Sequence, residues 1–125
     1  MHNERFPPDD PREWLSRARS NLAKAKYAPD VSEIYLEDLC FDAQQAAEKA
    51  IKAVLIHLGI QFPYVHDLAL LLALIEEAGQ NIPEAVRRAA ALSDYAVETR
   101  YPGPAEPVTQ QEYEDAVKVA EEVIR

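Results

Sequence analysis

Glycine is scarce in this 125-residue chain, with three residues, and cysteine and tryptophan occur once each. So little glycine argues against a sheet closed by tight hairpin turns. The lone Cys40 cannot form an internal disulfide, so nothing points to an oxidising compartment, and within its helix it reads as a small buried hydrophobe. No apolar run is long enough to span a bilayer, and Met1–Pro8 lacks the hydrophobic stretch of a secretory signal, so a cytoplasmic location is expected. Positive charge is also in deficit: 13 Lys and Arg against 22 Asp and Glu leave a formal net charge of −9. At long range such a chain repels polyphosphate, which disfavours DNA binding and leaves only a local basic pocket as a place for an anion. Chemistry is thin as well. Ser16, Ser20, Ser32 and Ser93 have no recognisable base partner, and there is no phosphate loop.

What is abundant is the material of helices. Apolar residues make up 48% of the chain, mostly Ala, Leu, Ile and Val, a mix that favours packed helices. One domain over residues 10–125 is the simplest organisation, with 1–9 as a flexible leader interrupted by Pro7 and Pro8. Asp10-Pro11-Arg12-Glu13 reads as a helix start: Asp10 accepts from free amides, Pro11 is preset for the first turn, and Glu13 completes a box-like cap. Trp14, Ala18, Leu22 and Ala25 give this helix an apolar stripe that ends before Pro29. Ser32 is the expected cap of the longest helix, over 33–58, which Gly59 ends. Its Leu36, Leu39, Ala43, Ala46, Ala47, Ala50, Val54 and Leu58 share one arc, where the alanines permit close approach of neighbours.

Asp67 is placed to cap a third helix carrying Leu68, Leu71, Leu72 and Ile75, stopped at Gly79. Pro83 opens a fourth, which turns Val86, Ala89, Ala90, Leu92, Tyr95 and Ala96 inward or nearly so. The proline-rich run 101–107 cannot stay helical, and Thr109-Gln110-Gln111-Glu112 is a capping box for a fifth helix striped by Tyr113, Ala116, Val117, Ala120 and Ile124. The fold expected is all-α, an antiparallel bundle of about five helices.

Three polar signatures interrupt this pattern. In Gln44-Gln45-Ala46-Ala47-Glu48-Lys49-Ala50-Ile51-Lys52, the residues Gln45, Lys49 and Lys52 fall on the face opposite the alanine stripe, flanked by Gln44 and Glu48. Two readings stay open: a solvated face with a Glu48–Lys52 pair, or an interface where two lysines meet an anionic group. In His66-Asp67-Leu68, Asp67 is accounted for as a cap, while His66 offers a proton donor or acceptor near neutral pH. No second His or Cys stands at ligand spacing, so no metal role is expected. His57 suits the dipole at the end of its helix. In Arg100-Tyr101-Pro102-Gly103, a guanidinium sits where a helix breaks before a stiff turn. Arg100 either binds phosphate or carboxylate with Tyr101 beside it, or pairs with an acid such as Asp94 or Glu98 while Tyr101 packs on the bundle.

In this order and at these distances the three signatures resemble the HEPN family of small helical domains, over nearly the whole chain from Pro11 onward. Trp14-Leu15 and Gly59-Ile60 with Phe62-Pro63 add to the likeness. The resemblance implies a four-to-five-helix bundle, similar to the helical domain of kanamycin nucleotidyltransferase-like proteins. It also implies a homodimer that binds a nucleotide, or that accompanies a minimal nucleotidyltransferase subunit in a toxin–antitoxin-like pair. Arg100, Tyr101, His66, Lys49, Lys52, Gln45 and Glu48 would then form the ligand- or partner-binding surface. No cofactor is implied. Ribonucleases of the family carry an Arg followed four to six residues later by a His; here those positions are Ala105, Glu106 and Pro107. A non-catalytic module is therefore the expectation, and the alternative is a diverged ribonuclease toxin using Arg100 with His66.

Overall fold

Alanine at the contact positions lets helix backbones pack closely, and the computed structural model shows which helix exploits this. It describes residues 6–7, 9–27, 35–63, 65–90, 92 and 109–124. They form α1 (Pro11–Tyr27), α2 (Leu36–His57), α3 (Leu68–Glu77), α4 (Glu84–Arg87) and α5 (Gln110–Ile124), with no strand among the described residues. The chain is an all-α bundle built around α2, which packs against α1, α3 and α5. On α2, Ala43, Ala46 and Ala47 are wholly buried together with Leu39, Cys40, Ile51 and Leu55. Against them lie Leu68, Leu71, Leu72 and Ile75 of α3, and Tyr113, Ala116, Val117 and Ala120 of α5. The stripes expected for the third and fifth helices are thus the faces that meet the core.

Helix ends follow local chemistry. Gly59 (φ +73°) and Gly79 (φ +90°) take left-handed conformations after α2 and α3. At the first, the Gly59 N–H donates to the Ile56 carbonyl at 3.0 Å and the Ile60 N–H to Leu55 at 2.9 Å, which satisfies two carbonyls the helix leaves open. Asp67 accepts from the Ala69 N–H at 3.0 Å. At α5 the Thr109 and Glu112 side chains reciprocally accept each other's backbone N–H, at 3.1 and 3.0 Å.

Several expectations change in detail. Helix α2 begins at Leu36, after an extended Tyr35 with no side-chain cap, and Ser32 lies outside the described residues, as does Pro29. Acidic Glu37 and Asp38 favour this start through the helix dipole. Glu13 does not close a box on Asp10. Its Oε1 accepts from the Phe6 N–H at 3.0 Å, while the Asp10 N–H donates to the Pro7 carbonyl, because the chain folds back before α1. The fourth helix is one α-turn followed by a tighter 3₁₀ turn over residues 88–90. The spacing of Val86, Ala89 and Leu92 accounts for it: an apolar residue every third position matches three residues per turn. Tyr95 and Ala96 lie outside the described residues.

Helix α1 runs antiparallel to α2, so that Trp14 meets Lys52 while Lys24 meets Asp42. Helix α5 is fastened to the end of α1 by the buried Tyr113 hydroxyl, which donates to the Ala25 carbonyl, one of the last four that α1 cannot satisfy itself. Replacing Tyr113 with Phe leaves that carbonyl buried without its donor. Urea unfolding of Tyr113→Phe is expected to show a loss of about 1–3 kcal/mol.

Candidate functional site

Spacing along α2 sets the site. Gln44, Glu48 and Lys52 stand four residues apart, one above another on the helix surface. They are not solvated: their exposures are 0%, 3% and 4%. Of the two readings left open, the solvated face is not the one found, although its Glu48–Lys52 pair is present. Trp14 of α1 and Phe62 of the α2–α3 connector stand against Lys52, and the His66 carbonyl lies 3.4 Å from Gln44 Nε2.

A charge placed there must find partners, and it does. Glu48 Oε2 accepts from Lys52 Nζ at 2.9 Å. Glu48 Oε1 accepts from Gln44 Nε2 at 2.8 Å and lies 2.8 Å from His66 Nδ1. Gln44 Oε1 in turn accepts from Gln45 Nε2 at 2.7 Å. Lys52 is further bracketed by two rings, with Nζ 5.8 Å from the Trp14 centroid on α1 and 5.7 Å from Phe62 in the connector. Burial alone would raise the Glu48 pKa. The hydrogen bonds from Lys52, Gln44 and His66 outweigh it together and hold the carboxyl below its ordinary value.

His66 is where this interior network reaches solvent. Its side chain is 49% exposed, against 4% for Glu48. Asp67 begins α3 one residue later and so fixes where the imidazole stands. An ionised Glu48 can only accept, so Nδ1 must be the donor, and Nε2 is the nitrogen that takes no part in this bond. Such a held imidazole can hydrogen-bond a ligand or exchange a proton with it.

Lys49 belongs elsewhere. It is half-buried at the α1–α2 seam, where Nζ donates to Asn21 Oδ1 at 2.8 Å, and is no part of the Glu48 network. Of the residues expected to share a surface, Gln45, Glu48, Lys52 and His66 come together, and Lys49 does not. Arg100 and Tyr101 lie outside the described residues. Trp14 and Phe62 were not singled out by the sequence as members of the cluster; Gln44 was named only as a flank of the polar row, where the signal was the four-residue spacing of an amide, an acid and an amine. No group of three or more His, Cys, Asp or Glu residues that could hold a metal ion occurs among the described residues.

The Glu48 carboxyl titrates lower in the folded chain than in the unfolded one. Its ionised form therefore stabilises the fold above its ordinary value of 4.5, and that contribution fades as pH falls through the folded value. Glu48→Gln removes the carboxylate bonded to the buried Lys52 and is expected to cost about 3 kcal/mol or more at neutral pH. Denaturant titrations across the acid range check both points, since the variant's stability must also vary less with pH below 5 or so.

Comparison with known proteins gives consistent relatives. The HEPN domain matches residues 11–125. Among solved structures, the chain is similar to TT1696 from Thermus thermophilus, with 36% identity, a TM-score of 0.78, and 91% of this chain and 92% of that one covered. It is also similar to ST0689, described as an archaeal HEPN homologue, at 28% identity and a TM-score of 0.73, with 92% of both chains covered. Comparison with functionally curated proteins gives no match. A bundle centred on a helix with a buried Gln-Glu-Lys row, matched by the domain over all but its first ten residues, places this chain in the HEPN domain family.

Proposed function

We propose that the protein is a non-catalytic nucleotide-binding module, homodimeric and cytoplasmic, which accompanies a minimal nucleotidyltransferase subunit in a toxin–antitoxin-like pair. One observation carries the reading. Glu48 and Lys52 are spent on each other inside the bundle, and the group they present outward is a single oriented imidazole, His66. Interior charges tied up in this way position a contact and do not themselves attack a substrate. In this reading Arg100 and Tyr101 supply the remaining contacts, a guanidinium for phosphate and a ring for the base. Support for a second copy comes from α3. It is apolar on its outer side too, with Leu70 40% exposed, and a helix apolar all round is normally covered.

Calorimetric titration with nucleoside triphosphates tests the nucleotide part. Saturable heat is expected, weakened about tenfold in His66→Ala if one charged or polar contact is lost. No heat at millimolar ligand removes nucleotide binding from the proposal. Recovery of a nucleotidyltransferase subunit with the tagged protein tests the partner part, and sedimentation velocity tests the dimer.

A second reading rests on the same pair of residues. A carboxylate that holds one imidazole nitrogen while the other stays open is the arrangement of an oriented general base. With Arg100 this fits a diverged ribonuclease, in which His66 takes the proton from a ribose 2′-hydroxyl. That enzyme would arrest growth when expressed, and both Arg100→Ala and His66→Ala would relieve the arrest. Normal growth at high expression rejects it.

A further inference from the structure

Lys49 is a cation that the reading above leaves unused. Its ammonium is half-buried, and its hydrogen bond is to the neutral amide of Asn21. The other deep lysine, Lys52, is treated differently, with a carboxylate 2.9 Å away. Burial first, then the nearby Arg17, depress the Lys49 pKa, with Lys24 adding to them and Glu48 and Asp42 opposing. Two more cations therefore stand within electrostatic reach of an ammonium that already has no carboxylate on it.

The seam's own acids are committed to other groups. Arg17 on α1 engages Glu13 through Nε at 2.6 Å, and no described residue occupies its two terminal nitrogens. Asp42 Oδ1 accepts from Asn21 Nδ2 at 3.0 Å and pairs with Lys24 Nζ at 3.1 Å. Among the described residues the seam holds three cations, Arg17, Lys24 and Lys49; Glu13 and Asp42 are bonded to the first two, and Glu48, which also acts on Lys49, is paired with Lys52. Lys49, the least exposed of the three, is the one with no described carboxylate directly against it. In a chain of net charge −9 such a gathering of cations runs against the overall composition. Arg17, Asn21 and Lys24 recur at i, i+4 and i+7 on α1, so the arrangement follows from helix geometry.

We propose that the α1–α2 seam binds a phosphate group, with Lys49 as the inner contact and Arg17 and Lys24 as outer ones. A phosphate offers three peripheral oxygens to donors from two helices. The terminal nitrogens of Arg17 suit a two-point contact, and the ammoniums act as point charges. A ligand there meets the Lys49 ammonium without removing either carboxylate from its partner. The site is distinct from His66 and stands whether or not the imidazole binds a nucleotide.

The test is a nuclear magnetic resonance titration of the ¹⁵N-labelled full chain with inorganic phosphate, exchanged for chloride at constant ionic strength. Saturable shifts are expected at the Asn21 side-chain amide and in the backbone around Lys49. Lys49→Met removes the charge while keeping the stem, so it should fold and should bind phosphate about tenfold or more weakly, as loss of a charged donor predicts. Arg17→Gln, at an exposed position, should weaken binding by a smaller factor. A parallel titration with adenosine monophosphate separates the sources: equal affinity marks a free phosphate site, and tighter binding marks the phosphate of a nucleotide. The proposal is overturned by the absence of saturable shifts at phosphate in the tens of millimolar, by equal affinity in Lys49→Met, or by shifts confined to His66. That last result would move the anion to the imidazole and leave the nucleotide reading intact.

Discussion

The buried carboxylate of Glu48 is the constraint on which the rest of the structure depends. An unpaired anion in such a place costs several kcal/mol, so the fold is stable only where donors surround it. Three do so, and each comes with a structural consequence. Lys52 brings the Trp14 and Phe62 rings against its ammonium, which ties α1 and the connector to α2. Gln44 extends the network one turn back along the helix and receives Gln45. His66 fixes the end of the connector where α3 begins. Satisfying one charge therefore sets the relative positions of three elements. The same bond engages only one of the two imidazole nitrogens of a half-exposed side chain.

This network works because the apolar side of α2 asks so little room. Ala43, Ala46 and Ala47 are wholly buried, and methyl groups at those contacts let α3 and α5 approach from one side. The polar row is then pressed against α1 on another side. A helix surrounded in this way would ordinarily be apolar all round. Here the central helix carries Gln44, Glu48 and Lys52 instead, with exposures of 5% or less. Replacing such a set by hydrophobic residues of equal volume is often neutral or stabilising, so stability alone does not explain it. The same set also holds the His66 imidazole in place.

Most of the fold was legible because its signals are local. The Thr109–Glu112 box, the Asp67 cap and the left-handed Gly59 and Gly79 each act within a few residues, and each stands where the pattern put it. The apolar stripes of α3 and α5 were legible for the same reason. The site was legible only in composition. A helical wheel places Lys49 and Lys52 on one side of α2, yet it does not show that α1 lies along that side, and coverage decides whether a lysine is a surface charge or an interior one. Once α1 is in place, Trp14 meets Lys52 and Asn21 meets Lys49, and two lysines three residues apart acquire different partners. Glu13 was misread for a related reason: its partner, the Phe6 N–H, lies before the helix, where no box pattern extends.

The separation of the two lysines bears on how a small acidic bundle handles anions. Lys52 is neutralised by Glu48 and stabilised by ring faces, so a ligand would have to break a buried pair to reach it. That costs more than a surface contact returns. Lys49 faces the opposite situation. Its partner is an amide, its neighbours include Arg17 and Lys24, and an incoming anion relieves repulsion without displacing a carboxylate. The helix thus carries one lysine whose charge is used up in building the fold and one with no described carboxylate directly against it. The chemistry open to an anion follows from that difference in coverage, which neighbouring helices impose on side chains of identical type.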